Sequence, residues 1–191
     1  MTAMLRPALT LLGLFTVLTG FVYPAVVTGV AQVVFPKQAN GSLIRKDGQV
    51  IGSELIGQFF DEPGSFWSRP SATAPTPYNA GASTGSNLGP LNPALRDAVA
   101  HRVKALREAD PGNIAPVPID LVTTSGSGLD PHISPAAAYY QVPRVARVRG
   151  LDPSRVRQLV DAQIEGRTFG MLGEPCVNVL ELNLALNALA H

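Results

Sequence analysis

The chain has 191 residues and a formal charge of +1, from 15 Lys and Arg against 14 Asp and Glu, enough for one ordinary domain and a short extra segment. Without Arg6 and Lys37, which flank an apolar run, the balance is 13 against 14, far from the basic excess with interleaved aromatics that a nucleic-acid partner requires. The lone Cys176 excludes an internal disulfide or a cysteine metal cluster and reads as a small buried apolar residue.

From Pro7 to Pro36 no residue is charged, and a spanning helix needs only about 20 apolar residues. A cleavable signal peptide is the competing reading, with Gly29-Val30-Ala31 as its cleavage site. Its apolar core would far exceed the usual length of roughly 7–15 residues, which favours a retained anchor. The chain then divides into a tail at 1–6, a transmembrane helix at 7–36 and a globular domain at 37–191. Gly13, Thr16 and Gly20 recur at i, i+3 and i+7, a small-residue face that lets another helix approach closely; Ala25 and Gly29 add a further pair. Pro24, mid-span, predicts a kink or a packed break. Lys37, Arg45 and Lys46 follow the span and Arg6 precedes it. Charge alone would therefore leave the domain cytoplasmic, although long domains cross largely regardless of it.

Beyond the anchor, Ser42–Ile51 reads as a hairpin turning at Asp47-Gly48, and Glu54–Phe60 as a short helix. Asp61–Pro93, crowded with Gly, Pro, Ser, Thr and Asn, is a long loop. Phe66, Trp67, Tyr78 and Leu88 predict that it is ordered, either making partner contacts or solvated and pinned by Trp67. Asn92-Pro93 opens an amphipathic helix with Leu95, Val99, Val103 and Leu106 inward and Arg96, Arg102, Arg107 and Glu108 on its wet side. Val117–Val122 reads as an edge strand.

Ser125-Gly126-Ser127-Gly128 forms a small-residue loop, Asp130-Pro131 a turn, and Ser134-Pro135 a helix start. Pro143 predicts two short helices or one kinked helix over Ala136–Gln141 and Arg144–Arg149. Asp152-Pro153 caps a helix with Val156, Leu159, Val160 and Ile164 inward, and Val177–Leu189 reads as a closing helix. Without regular βαβ alternation, the fold class is a mixed α/β (α+β) globular domain preceded by a single N-terminal transmembrane helix.

No phosphate loop and no dinucleotide fingerprint is present. His101, His132 and His191 stand apart, without zinc-ligand spacing, so no metal site is assigned. Ser125 or Ser127 as a nucleophile lacks a G-x-S-x-G elbow and a placed base, so no catalytic residue is assigned. Bare amides at Ser125–Gly128 beside a helix N-terminus suit an anion or phosphate; they equally suit tight packing.

The run Thr124-Ser125-Gly126-Ser127-Gly128-Leu129-Asp130-Pro131-His132-Ile133-Ser134, with Ala137-Ala138, Gln141 and Arg144-Val145-Ala146, resembles the C subunit of the bacterial Kdp potassium-transporting ATPase. So do Arg69-Pro70-Ser71-Ala72 through Tyr78-Asn79-Ala80 to Ser86-Asn87-Leu88-Gly89-Pro90, and Leu172-Gly173-Glu174-Pro175 with Val177-Asn178-Val179-Leu180. These long blocks fall in the family's order over essentially the whole chain.

The resemblance implies an accessory, non-catalytic subunit of a high-affinity ATP-driven potassium uptake pump in the bacterial inner membrane. Its implied partners are a potassium-channel-like subunit and a P-type ATPase subunit, whose phosphorylated Asp-Lys-Thr-Gly-Thr string is absent here. It implies no cofactor of the chain's own, with ATP entering through the catalytic subunit. It also implies a cytoplasmic N-terminus and an extracytoplasmic globular domain. Finally, the Ser125–Gly128 loop with Gln141 resembles a serine-glycine-glycine-glutamine nucleotide signature. That similarity implies ATP contact by Ser125, Gly126, Ser127, Gly128, Gln141 and Arg144, with Arg147 a turn from Arg144. An extracytoplasmic domain and an ATP-contacting loop exclude one another. An anchored extracytoplasmic binding module facing its ligand through Asp61–Pro93, and a serine hydrolase, are the alternatives.

Overall fold

The computed structural model describes residues 2–189; His191 lies outside them. The chain divides between Ser53 and Glu54 into two compact units.

In the first unit, α1 (Thr2–Val17) and α2 (Tyr23–Val34) are joined by a π-helical turn at Leu18–Val22. The stretch Met4–Val34 is long and apolar enough to cross a membrane. Pro24 accounts for the turn. It has no amide to return to Gly20, and its ring would press on that carbonyl, so a wider turn just ahead of it relieves the clash. The Tyr23 amide accordingly donates to Leu18 O, five residues back. The hydroxyls of Thr16 and Thr19 donate to the carbonyls of Leu12 (2.7 Å) and Phe15 (2.6 Å), so their polar groups are satisfied within the helix, as hydrocarbon demands. A short helix α3 (Pro36–Ala39) follows, then the predicted hairpin, β1 (Leu43–Lys46) and β2 (Gln49–Ser53). Asp47 and Gly48 at its tip have φ of +51° and +79°, the signs a type I′ turn requires.

The second unit is built on a three-stranded antiparallel sheet in the order β3 (His132–Ile133), β5 (Cys176–Asn178), β4 (Ile164–Glu165). Ile133 pairs with Val177 and Ile164 with Val177, so these three share one face. That face belongs to the core: Ile133 and Val177 are buried and Ile164 packs against them. Four helices complete the unit: α4 (Pro93–Ala109), α5 (Pro135–Arg149), α6 (Pro153–Ala162) and α7 (Val179–Leu189). Val145 of α5, Val156 and Val160 of α6, and Leu182 and Leu186 of α7 are fully buried. Side-chain caps start each helix. Asn92 accepts from the Ala94 amide, Ser134 from Ala137, Asp152 from Ser154, and Asn178 from Leu180 and Glu181. Gly150, at φ +64°, ends α5 with the Leu151 amide on Ala146 O and its own on Arg147 O.

Several local expectations are not met. Glu54–Phe60 is not a helix: Gly57 donates to Leu129 O (2.8 Å), and a Cβ there would collide with the Tyr78 ring and lie 2.9 Å from Asp130 O. Val117–Val122 is not a strand but a 3₁₀ turn at Ile119–Leu121, since Pro116 and Pro118 remove the amides a ladder needs. Pro143 does not divide α5, which runs unbroken from Pro135 to Arg149. The proline withdraws a donor from this turn, and Asn113 Nδ2 donates to the carbonyl of Tyr140 (3.0 Å) beside it. The closing helix begins at Val179, because Cys176–Asn178 form the central strand. On α4, Arg102 and Arg107 do not extend into water: Arg102 donates to Val122 O (2.8 Å), and Arg107 to the carbonyls of Asn113 and Ala115. Burial lowers the Arg102 pKa.

The long loop is ordered and pinned to two helices. Phe66 is fully buried. Its amide donates to Asn183 Oδ1 (2.8 Å), and its carbonyl accepts from Asn183 Nδ2 (3.0 Å). The next residue repeats the arrangement: the Trp67 amide donates to Gln141 Oε1 (2.7 Å) and Gln141 Nε2 donates to Trp67 O (3.2 Å). Arg144 donates to the carbonyls of Pro63 and Ser65 and to Gln141 Oε1, with its guanidinium 4.7 Å from the Trp67 ring centroid.

Truncating Gln141 to alanine orphans both main-chain groups of Trp67, at roughly 1–3 kcal/mol for each buried unpaired group. Thermal melting of the detergent-solubilised chain should therefore drop for Gln141→Ala by several degrees. Val148→Ala, at a half-exposed position of the same helix, should barely move it. Equal, small shifts would show that the amide clamp carries little of the fold.

Candidate functional site

The Ser125–Gly128 loop closes on itself and on the long loop. Ser125 Oγ accepts from the Gly128 amide (2.9 Å) and Ser127 Oγ from the Leu129 amide (3.1 Å). Ser127 O accepts from the Thr84 amide and the Ser83 hydroxyl, both at 3.0 Å, and Gly128 O accepts from Ser71 Oγ (2.7 Å). Gly128 has φ +69°, and a Cβ on it would sit 2.7 Å from both Thr73 Cγ2 and Thr84 O. Here glycine is required twice over, by conformation and by space. Gly126 carries neither constraint: its φ is not positive and a Cβ there meets nothing within 4 Å.

Gln141 and Arg144 are buried. Gln141 is 1% exposed and Arg144 2%. Their polar groups are engaged by the main chain of residues 63–67 and by each other, and Gln141 Nε2 also reaches Ala137 O (3.2 Å). Burial pulls the Arg144 pKa down to about 10. Arg147 pairs with the buried Asp110 (2.7 Å). The structure thus brings Ser125–Gly128 together as a packed turn and places Gln141 and Arg144 in the domain interior. Gly13 and Thr16 lie on α1, whereas Gly20 lies inside the π turn, where the 3.6-residue period that aligned the three no longer holds. A Cβ on Gly13 or Gly20 meets nothing within 4 Å.

A further polar constellation lies just beyond this loop. Asp130 Oδ1 accepts from the His132 amide (3.0 Å) and faces His132 Nδ1 at 3.3 Å, while Oδ2 pairs with Arg69 NH1 at 3.1 Å. Arg69 NH2 also donates to Thr124 O (3.3 Å). Arg69, Asp130 and His132, together with Asp120, Glu174 and Cys176, line a cavity of about 410 Å³. Burial raises the Asp130 pKa, but the hydrogen bonds from the His132 side chain and amide and the charges of Arg69 and His132 outweigh it, for a net lowering. The hydrogen bond to Asp130 raises the His132 pKa. Burial opposes it, while the charges of Asp130, Glu165 and Glu181 reinforce it.

Sequence spacing leaves His132 isolated because its neighbours arrive through the sheet. Glu165 and Cys176 are cross-strand partners, and one ligating atom from each of His132, Glu165 and Cys176 lies within 4.8 Å of the others. Cys176 is half-buried rather than fully buried. Asp130 was legible as a turn former, whereas its bond to Arg69 spans 61 positions and no local pattern signals it. His101 is exposed on α4.

An apolar helix long enough to cross a membrane, joined to a mixed α/β unit, defines a membrane-anchored α/β protein as the class. The family described as "K+-transporting ATPase, c chain" (KdpC) matches residues 5–188. Proteins called potassium-transporting ATPase KdpC subunit are similar along their whole length. That of Methylococcus capsulatus is 66% identical over 96% of this chain and 97% of its own. That of Polaromonas naphthalenivorans is 66% identical over 99% and 96%, and that of Sorangium cellulosum 65% over 98% of both. The chain belongs to the KdpC family, and so to the subunits of that ATPase other than the catalytic one.

Two outcomes follow from the site. Gly128→Ala forces a side chain against Thr73 and the Thr84 carbonyl and should lower the melting temperature clearly, whereas Gly126→Ala should leave it within about a degree, since substitutions away from such features usually cost within ±0.5 kcal/mol. Equal shifts would contradict the packed-turn geometry. For pH, Asp130 contributes stability that is complete above its unfolded pKa and is lost as pH falls through its lowered folded value. His132 contributes stability complete below its unfolded pKa and lost as pH rises through its raised folded value. Both act fully between about pH 4 and 6.5, the two unfolded values. Melting temperature against pH should fall on either side of that window. Asp130→Asn should flatten both flanks, and an unchanged profile in this variant would remove the pair as their source.

Proposed function

We propose that this chain is an accessory, non-catalytic subunit of a high-affinity, ATP-driven potassium uptake pump, supporting assembly with a potassium-channel-like subunit and a P-type ATPase subunit. The observation that carries the reading is the family match over residues 5–188, anchor and domain together. The anchor supports it further, since Gly13 and Gly20 leave open surface on an apolar helix where a partner helix can close in. Phe169 and Met171, 86% and 77% exposed beside the Thr168–Leu172 bridge, offer the second unit an apolar contact.

The chain spans the inner membrane once, with its N-terminus cytoplasmic and its globular domain outside. Assembly is favoured over direct ATP contact because Gln141 and Arg144 spend their hydrogen bonds inside the domain, and the Gly128 amide, a donor a phosphate would need, is spent on Ser125 Oγ. A role in raising the ATP affinity of the catalytic subunit would then be exerted through subunit contact.

Two experiments test this. Replacing Gly13 and Gly20 together with leucine should release the partner subunits on purification in mild detergent while the chain still reaches the membrane. Unchanged co-purification would remove the helix-packing basis of assembly. In a Cys176→Ser background, Ser83→Cys should react with a membrane-impermeant thiol reagent applied to cells whose inner membrane is intact. Protection until that membrane is breached would place the domain in the cytoplasm and make nucleotide contact the better account.

A further inference from the structure

The sheet has a second face. Glu165 stands directly opposite Cys176, and His132 stands opposite Asn178, two residues along the same strand from Cys176. Because side chains alternate along a strand, His132, Glu165 and Cys176 project to one side, opposite the buried Ile133, Val177 and Ile164. Three adjacent strands thus present an imidazole, a carboxylate and a thiol from one paired backbone. One ligating atom of each falls within 4.8 Å of the other two.

We propose that His132, Glu165 and Cys176 bind a borderline-soft divalent transition-metal ion, of which Zn2+ is the type, a site unrelated to potassium or to ATP. Zinc takes nitrogen, oxygen and sulfur at bonds of about 2.0–2.3 Å, which sets tetrahedral ligand atoms roughly 3.3–3.7 Å apart. Closure from 4.8 Å asks only for small side-chain rotations, and Glu165 is exposed and has room to make them.

The donor set itself selects. Thiolate with imidazole favours Zn2+ and its neighbours over Mg2+, Ca2+ or K+, which want oxygen alone. The surroundings match a metal-bound histidine: Asp130 sits 3.3 Å from His132 Nδ1, orienting the ring and leaving Nε2 for the ion, and Asp130 is itself held by Arg69. Glu165 and Glu181 add negative charge around the histidine. The cavity of about 410 Å³ lined by His132 and Cys176 leaves space for a water as fourth ligand. On binding, the Cys176 thiol loses its proton to solvent and the thiolate bonds the metal.

The test uses untagged full-length protein in mild detergent, reduced, stripped with a chelator and titrated with Co2+ and then Zn2+. Co2+ should raise a sulfur-to-metal charge-transfer absorption that saturates at a single equivalent and is bleached by Zn2+. Cys176→Ser should abolish that absorption, and His132→Gln and Glu165→Gln should each weaken Zn2+ binding by at least about 100-fold, beyond the roughly 10–100-fold that loss of an outer-shell partner costs. Asp130→Asn, which leaves all three ligands in place, should weaken it by a smaller factor. Absence of the band with Co2+ in large excess, or Zn2+ affinity unchanged in Glu165→Gln, would overturn the proposal. Glu165 is exposed and the Cys176→Ser change nearly isosteric, so these two variants decide the matter even if His132→Gln unfolds.

Discussion

The architecture of the second unit depends on two side-chain amides gripping a loop that has no regular structure of its own. Asn183 of α7 and Gln141 of α5 each bond both main-chain groups of a single residue, Phe66 and Trp67 respectively. A buried segment outside helix or sheet would otherwise carry unpaired peptide groups into the core, at roughly 1–3 kcal/mol for each. The two amides supply what a neighbouring strand would have supplied. They allow Phe66 to be fully buried and fix the start of the chain that runs on to Arg69.

Consequences spread from that grip. Arg69 is delivered to Asp130, which orders His132 at the edge of the sheet. Ser71 and Ser83, with the Thr84 amide, are delivered to the turn at Ser125–Gly128, which they close from the other side. Arg144, whose charge would be costly in the interior, is tolerated because three carbonyl-type oxygens and the Trp67 ring surround it. A polar network of this kind ties side chains more than 70 positions apart into one cooperative object.

What the sequence reveals and what it conceals divide along the range of the interactions. The anchor, the Asp47-Gly48 hairpin and the caps at Asn92, Ser134 and Asp152 are legible because each depends on a few adjacent residues. Glu54–Phe60 misleads because its local preference is overruled by Gly57 meeting Tyr78, whereas at Val117–Val122 the local signal itself, Pro116 and Pro118 flanking Val117, already argues against a strand. Gln141 illustrates the difficulty best. A glutamine following a serine-glycine loop is similar to a nucleotide signature, yet here its partner is the main chain of Trp67, 74 positions away. Likewise the grouping of His132, Glu165 and Cys176 exists only once the register of β3, β5 and β4 is known, and no spacing along the chain announces it.

Because the clamp is made of main-chain hydrogen bonds to buried acceptors, amide hydrogen exchange of Phe66 and Trp67 in the detergent-solubilised chain tests it most directly. Both amides should exchange as slowly as those in the middle of α5, at the rate of global unfolding, although they lie in a loop of more than thirty residues. Exchange on the timescale of exposed loop amides such as Ser86 or Asn87, with α5 still protected, would contradict an account in which the loop is an integral part of the fold.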